Sequence, residues 1–473
     1  MLERVERVRA FADLALHHAL ASTELSGADR ALATDIVYGT LRWRGRIDFV
    51  LGHMLDRELP KLEPMVASIL RAGAYQILFS DRIPASAAVD EAVRCARALG
   101  AERATGLVNA VLRRVSSDHA EIPFPPLETE PLEHLIHALS LPPWIAQRWL
   151  DRFGPADAAA LARTSNAPPP RTIRANRTRR SADALLEQLL PEFPEATRAA
   201  IAPDALILGR GASPGRDPAF LAGDYTVQDE ASQLVVELLD PQPGERVLDT
   251  CAAPGTKTTA IAERIGPDGL VTACDRHGGR LRLVARDARR LGLDGIELHE
   301  RDASQSLQDL LPEEGPGHDG FDRVLVDVPC SGLGSLRRNP DARWRIRESD
   351  VASLAKEQRS ILDHASRTVR PGGTLVYSTC TLLHDENEEQ IESFLADHRE
   401  FRRVPREDLP DTLEPVLRED GSVECLPHIH GSDGFFAARL VRSDATQDSG
   451  DESGKSGPLE SRNPSPTEID KES

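Results

Sequence analysis

Val247-Leu248-Asp249-Thr250-Cys251-Ala252-Ala253-Pro254-Gly255-Thr256-Lys257-Thr258-Thr259 reads as an apolar strand, a tight turn of small residues and the start of a helix. That order turns backbone N–H groups and a helix N-terminus toward a ligand. Two familiar nucleotide patterns fail here. A P-loop needs Gly, four residues, then Gly-Lys-Ser/Thr, but Cys251 and Thr256 stand at its two glycine positions. The dinucleotide fingerprint G-x-G-x-x-G is absent as well. The stretch supports neither an NTPase nor an NAD enzyme, and the bland alternative is plain strand–helix packing.

Working outward, strands and helices alternate from about residue 223. Strands are expected at Arg246–Cys251, Leu270–Asp275, Ile296–Asp302, Arg323–Pro329 and Gly373–Cys380, and helices at 228–239, 255–265, 279–292, 350–370 and 385–397. This alternation implies a parallel, doubly wound sheet, whose ligands bind at the carboxyl ends of its strands. The second strand ends at Asp275, 26 residues beyond Asp249, and an acid there can accept bonds from both hydroxyls of a ribose. The third ends at Asp302, placed to bond the exocyclic amine of an adenine. Ribose and adenine without a cradled phosphate suggest S-adenosylmethionine. The fourth strand runs into Asp327-Val328-Pro329-Cys330-Ser331-Gly332-Leu333-Gly334 and the fifth into Tyr377-Ser378-Thr379-Cys380-Thr381, so two cysteines face one cleft. Zinc ligation by that pair has weak support, since neither belongs to a C-x-x-C motif. Cys95, Cys251, Cys274 and Cys425 read as small packed hydrophobes.

The rest of the chain divides by composition. Residues 1 to about 118 carry helical stripes, beginning with Val5, Val8, Ala12, Ala15 and Ala19, with Gly27 and Gly73 as punctuation. The Pro-rich stretches 122–126 and 166–170 suit connectors around an amphipathic helix at 143–150. A small α+β unit follows, with a helix near 181–190 and a strand at 205–208. From Arg442 the chain has eight acids, four bases and almost nothing apolar, the composition of a disordered tail. The expected domains are therefore 1–125, 126–222, 223–441 and the acidic tail 442–473.

The 473 residues carry a net charge of −19, an unpromising sign for a nucleic-acid binder. The distribution is more telling. Only Lys61, Lys257, Lys356, Lys455 and Lys471 are lysines, and the other 52 basic residues are Arg. Arg171, Arg174, Arg177, Arg179 and Arg180 form one cluster, and Arg337, Arg338, Arg343, Arg345 and Arg347 another beside the Cys330 loop. Both are candidate phosphate contacts, with Trp344 a candidate base-stacking residue. No apolar run approaches the roughly 20 residues of a membrane helix. Six cysteines are too few for a disulfide scaffold. A cytosolic protein with no membrane partner is expected.

These motifs resemble the RNA cytosine-C5 methyltransferase family at 249–257, 327–332 and 378–380, with Thr256 and Val328 departing from its usual Gly and Ala. Thr256 cannot easily take a positive φ, so an ordinary backbone is expected there. Arg30–Arg42 and Asn109–Arg114 resemble the NusB-type RNA-binding fold. The fusion is similar to the RsmB/Sun/Fmu type of bacterial 16S rRNA methyltransferase. The resemblance implies three parts: an all-α NusB-like domain, a small α+β linker domain and an α/β Rossmann-like methyltransferase domain. It implies Cys380 as the nucleophile on carbon 6 of cytosine and Cys330 as the helper in release. It also implies that Asp327 bonds the base and that Lys257 supports the active-site loop or the base. By the same resemblance, Cys251, Ala252, Ala253, Pro254, Gly255, Thr256, Lys257, Asp275, Asp302 and Asp327 are expected to hold S-adenosylmethionine. The implied partner is 16S rRNA, naked or in a partly assembled small subunit, and the protein is expected to be a monomer. The competing readings are the same chemistry on tRNA or another rRNA site, and a non-catalytic assembly factor of NusB type.

Overall fold

A computed structural model describes residues 1–209, 214–315 and 317–444. The expected tail beyond residue 444 lies outside the described residues. The N-terminal part is all helical, as expected. Gly27–Arg42, Arg44–Met54, Pro64–Phe79, Ala85–Ala98 and Thr105–Asp118 enclose a core that includes Ile47, Leu70, Val108 and Leu112. Gly73 is no punctuation mark. It sits inside the helix Pro64–Phe79, where a Cβ would stand 2.5 Å from Leu112 Cδ1, so close helix packing explains a residue that local propensity disfavours. The first stripe is also interrupted. Arg9 turns left-handed (φ 52°) between the helices Leu2–Val8 and Ala12–Ala21, leaving Val8 exposed.

The Pro-rich middle is more than a connector. The helix Pro143–Ser165, kinked at Gly154, buries Trp149 and Leu161 in one core with Leu333, Leu336, Val351 and Leu382 of the C-terminal domain. The small domain holds four antiparallel strands: β1 (Thr172–Ala175), β2 (Thr197–Arg198), β3 (Ala205–Ile207) and β4 (Tyr225–Val227), in the order β2-β3-β1-β4. The helix Ala182–Leu189 covers this sheet with Leu185 and Leu189 over Ile173, Leu206 and Tyr225.

The C-terminal domain contains β5 (Arg246–Asp249), β6 (Leu270–Asp275), β7 (Ile296–Glu300), β8 (Phe321–Asp327), β9 (Val369–Thr379), β10 (Phe401–Arg403), β11 (Val423–Cys425) and β12 (Phe435–Arg442). The sheet runs β10-β12-β9-β8-β5-β6-β7, with β11 paired to β12. Strands β5 to β9 are mutually parallel, and β12 is antiparallel to β9. Order reverses between β5 and β8, the switch point at which such sheets open a ligand crevice. No described helix is long and apolar enough to cross a membrane.

Candidate active site

The strand ends converge as expected. A cleft with about 800 Å³ of open space is lined by Thr250, Cys251, Ala253, Asp275, Asp302, Asp327, Cys330 and Cys380. The turn after β5 supplies one wall. Gly255 has φ 113°, and a Cβ there would lie 3.1 Å from Val284 Cα, so only glycine suits the position. Thr256 is the first residue of the helix Thr256–Ile265 and keeps an ordinary backbone. Ala252, Pro254, Gly255 and Thr256 shape the turn from behind: Ala252 N donates to Cys274 O (2.7 Å), and Thr256 O accepts from Arg174 (2.6 Å).

Asp275 and Asp302 both reach the cleft. Asp275 accepts from His277 N at 2.8 Å and lies 3.6 Å from Arg280. Asp302 accepts from the Ser304 hydroxyl (2.7 Å) and Ser304 N (2.9 Å), and these bonds hold its pKa below the ordinary value. Asp249 is fully enclosed. Thr258 Oγ1 donates to one of its oxygens at 2.7 Å, and the other, Oδ1, has no partner. Burial, chiefly, pushes its carboxyl up to about 7. The acceptors that face the cleft, Asp275 and Asp302, fit a cofactor rich in donors and positive charge, as S-adenosylmethionine is, with its diol, amine and sulfonium.

The side of the cleft that carries the two thiols is held just as tightly. Lys257 Nζ is 2.8 Å from Asp327 Oδ2, and Ser378 Oγ donates to Asp327 Oδ1 at 2.8 Å. Burial works to strip Lys257 of its proton, but the charge and hydrogen bond of Asp327 outweigh it, with Cys380 and Asp249 adding to them. Its pKa therefore lies above the ordinary value. The sulfurs of Cys330 and Cys380 are 3.4 Å apart. The hydrogen bond to Cys380, followed by burial, holds the Cys330 thiol well above its usual pKa. Backbone contacts fix the pair. Gly334 N donates to Cys380 O at 2.9 Å, and Gly434 N to Gly334 O at 2.9 Å.

Several supporting residues carried no signal in the sequence. Glu386 is fully buried and accepts from Ser331 N (2.9 Å), Ser331 Oγ (2.5 Å) and Gln358 Nε2 (2.8 Å). Tyr377 OH in turn donates to Glu386 O at 2.7 Å. These partners come from three separate elements, so no local spacing betrays them.

The arginine clusters fall largely elsewhere than expected. Arg174 is buried against Glu263 at 2.7 Å. Arg337 and Arg338 pair with Asp433 at 2.8 and 2.7 Å, and Arg345 with Asp341. Arg343 is fully buried and donates to Arg42 O, Ser140 O, Ser165 O and Asn166 Oδ1; burial, then Arg42, lowers its pKa to about 9. Trp344 donates to Leu41 O at 2.6 Å, with Arg44 over its ring. These side chains bind domains together, because an Arg fork satisfies several carbonyls at once. Of the cysteines read as packed hydrophobes, Cys274 and Cys425 are buried, whereas Cys95 is exposed and Cys251 lines the cleft.

Comparison with known proteins agrees with this geometry. Residues 236–441 match the model of the 16S rRNA methyltransferase RsmB/F family, residues 1–117 the NusB family, and residues 141–213 the RsmF/B-like ferredoxin-like domain. The chain is 37% identical over 441 residues to the probable ribosomal RNA small subunit methyltransferase B of Bacillus subtilis (strain 168), covering 93% of this chain and 96% of that one. It is 36% identical to the ribosomal RNA small subunit methyltransferase B of Pseudomonas putida, covering 89% and 92%. The solved structure of the protein designated PH0851 superposes with a TM-score of 0.76 at 28% identity, over 93% of this chain and 96% of that one. The chain belongs to the ribosomal RNA small subunit methyltransferase B family, and its Rossmann-like domain is that of an S-adenosylmethionine-dependent methyltransferase.

Proposed function

We propose that this protein methylates carbon 5 of a cytosine in 16S rRNA through a covalent Cys380–cytosine adduct. The observation that carries the reading is the meeting of two thiols in one cleft, beside the Lys257–Asp327 pair. The sulfurs of Cys330 and Cys380 lie 3.4 Å apart, and Cys380 stands within the field of the Lys257 ammonium. A nucleophilic thiol needs a nearby cation.

Carbon 5 of cytosine is a poor nucleophile. The Cys380 thiolate adds to carbon 6, and the electron pair of the 5,6 double bond shifts to give carbon 5 enamine character. Asp327, held by Lys257 and Ser378, binds N3 and the exocyclic amine and favours the protonated adduct. S-adenosylmethionine supplies the methyl group as an electrophilic sulfonium; the 251–257 turn, Asp275 and Asp302 hold it. Release then needs loss of the carbon 5 proton and departure of the Cys380 sulfur, which restores the double bond. Cys330 serves that step. Cys330, after losing its own proton to solvent, takes the carbon 5 proton as a thiolate; the electron pair of that C–H bond re-forms the 5,6 double bond, and the Cys380 sulfur leaves with the pair of the C6–S bond.

The relatives' printed names support a small-subunit rRNA substrate, and the NusB match supports RNA contact by the helical domain. The test is transfer of labelled methyl from S-adenosylmethionine to small-subunit RNA, followed by nucleoside analysis. Label in 5-methylcytidine supports the reading, and label in any other nucleoside contradicts it.

A further inference from the structure

The helix Gly278–Leu291 buries Leu281, Val284, Ala288 and Leu291 against the sheet. Arg282, Arg286 and Arg289 recur at i, i+4 and i+7 on its opposite, exposed face. Nothing in the fold calls for all three. The helix dipole favours Arg289 in the last turn, but Arg282 and Arg286 lie beyond its reach. Like charges four residues apart repel. The one acid of this helix, Asp287, lies 3.5 Å from Arg290 and 3.8 Å from Arg286. Among the described residues, Arg282 and Arg289 have no carboxylate within ion-pair distance.

Both ends of this stripe lead to something. Beyond its C-terminal end, Arg179 Nη2 lies 3.2 Å from where a Gly292 Cβ would stand. The small-domain loop carrying Arg179 is anchored there by Asn176, which donates to Leu291 O at 3.0 Å. At the N-terminal end, Arg276 and Arg280 line the catalytic cleft. A ridge of arginines thus runs from the small domain to the cleft, on a chain of net charge −19.

We propose that this ridge holds the sugar–phosphate backbone of the substrate RNA where the strand approaches the cleft; the proposal rests on the RNA-methyltransferase reading above. Arginine forks match phosphate oxygens bidentately. Phosphate contacts position a strand without reading its sequence, which suits a surface displaced from the reacting base.

The experiment measures binding of a mixed-sequence single-stranded RNA oligonucleotide across a salt series. Four proteins are compared: wild type, Arg282/Arg286/Arg289→Ala, the same triple→Lys, and Arg367/Arg399/Arg402→Ala, which removes equal charge from exposed positions elsewhere on the catalytic domain. Losing the ridge should flatten the slope of log affinity against log salt by roughly 2, at about 0.7 per phosphate contact. The Lys triple and the displaced Ala triple should keep the wild-type slope. Melting temperature and S-adenosylmethionine affinity should stay unchanged in all four. A wild-type slope in the ridge variant, or equal flattening in the displaced triple, would overturn the proposal. Binding is read without catalysis. A wild type that binds RNA steeply yet transfers no methyl group would defeat the proposed function and leave the ridge standing.

Discussion

Glu386 accepts both the backbone N–H and the hydroxyl of Ser331, the residue next to Cys330, at 2.9 and 2.5 Å. A fully buried carboxylate thereby fixes the loop that carries one thiol against the strand end that carries the other. Glu386→Ala leaves the backbone N–H of Ser331 without its partner and strips Gln358 Nε2 of one of its two acceptors, while the Ser331 hydroxyl keeps Thr381 Oγ1 at 2.7 Å; a buried unsatisfied group costs about 1–3 kcal/mol. A loop displaced by about 1 Å slows chemistry on the order of 100-fold. The expected result is a fall in kcat with little change in KM for S-adenosylmethionine, and kinetics showing the reverse would contradict the positioning role.

Asp275→Ala removes the acceptor at the end of β6. Affinity for S-adenosylmethionine should fall by about 1–3 kcal/mol, with melting temperature nearly unchanged. Calorimetry showing equal affinity would remove Asp275 from the cofactor site.

Asp249 is 1% exposed, and burial lifts its carboxyl from 3.8 to about 7. The folded chain therefore prefers the protonated form. The stabilising contribution of that form is complete below about pH 4 and is lost as pH rises through about 7. Asp249→Asn cannot ionise. Denaturant titrations should show wild type losing stability relative to this variant between about pH 4 and pH 8, by as much as about 4 kcal/mol. Parallel pH curves would mean that Asp249 stays charged within the fold.

Arg174 joins the small domain to the helix Thr256–Ile265 through Glu263, whose side chain is 1% exposed. Arg174→Ala strands a buried charge and should cost about 3–5 kcal/mol of stability. The salt dependence of RNA binding should not move. A flattened salt slope with stability intact would restore Arg174 to an RNA-contact role.

The sequence made the parallel sheet legible because alternating apolar strands and amphipathic helices repeat over many residues, and the expected limits of Leu270–Asp275 match β6 residue for residue. The strand-end acids and both thiols were legible for the same reason: topology brings strand ends together whatever the loops do. Glu386 and Gln358 were not, since each acts through a partner on another element. The arginines were misread because charge density alone does not distinguish a solvated cation from Arg343, which is sealed among carbonyls of four residues. The arginines of Gly278–Leu291 make no cluster in the sequence, because they are spread along a helix rather than packed into a run.

The most direct test of the thiol assignment uses a denaturing gel of Cys330→Ala and Cys380→Ala, each mixed with small-subunit RNA and S-adenosylmethionine. Cys330→Ala retains the nucleophile but not the helper in release, so a covalent protein–RNA band should accumulate. Cys380→Ala should show no band and no methylation, because the adduct never begins. A band from Cys380→Ala and none from Cys330→Ala would reverse the two roles, and full methylation by both variants would exclude thiol chemistry at this site.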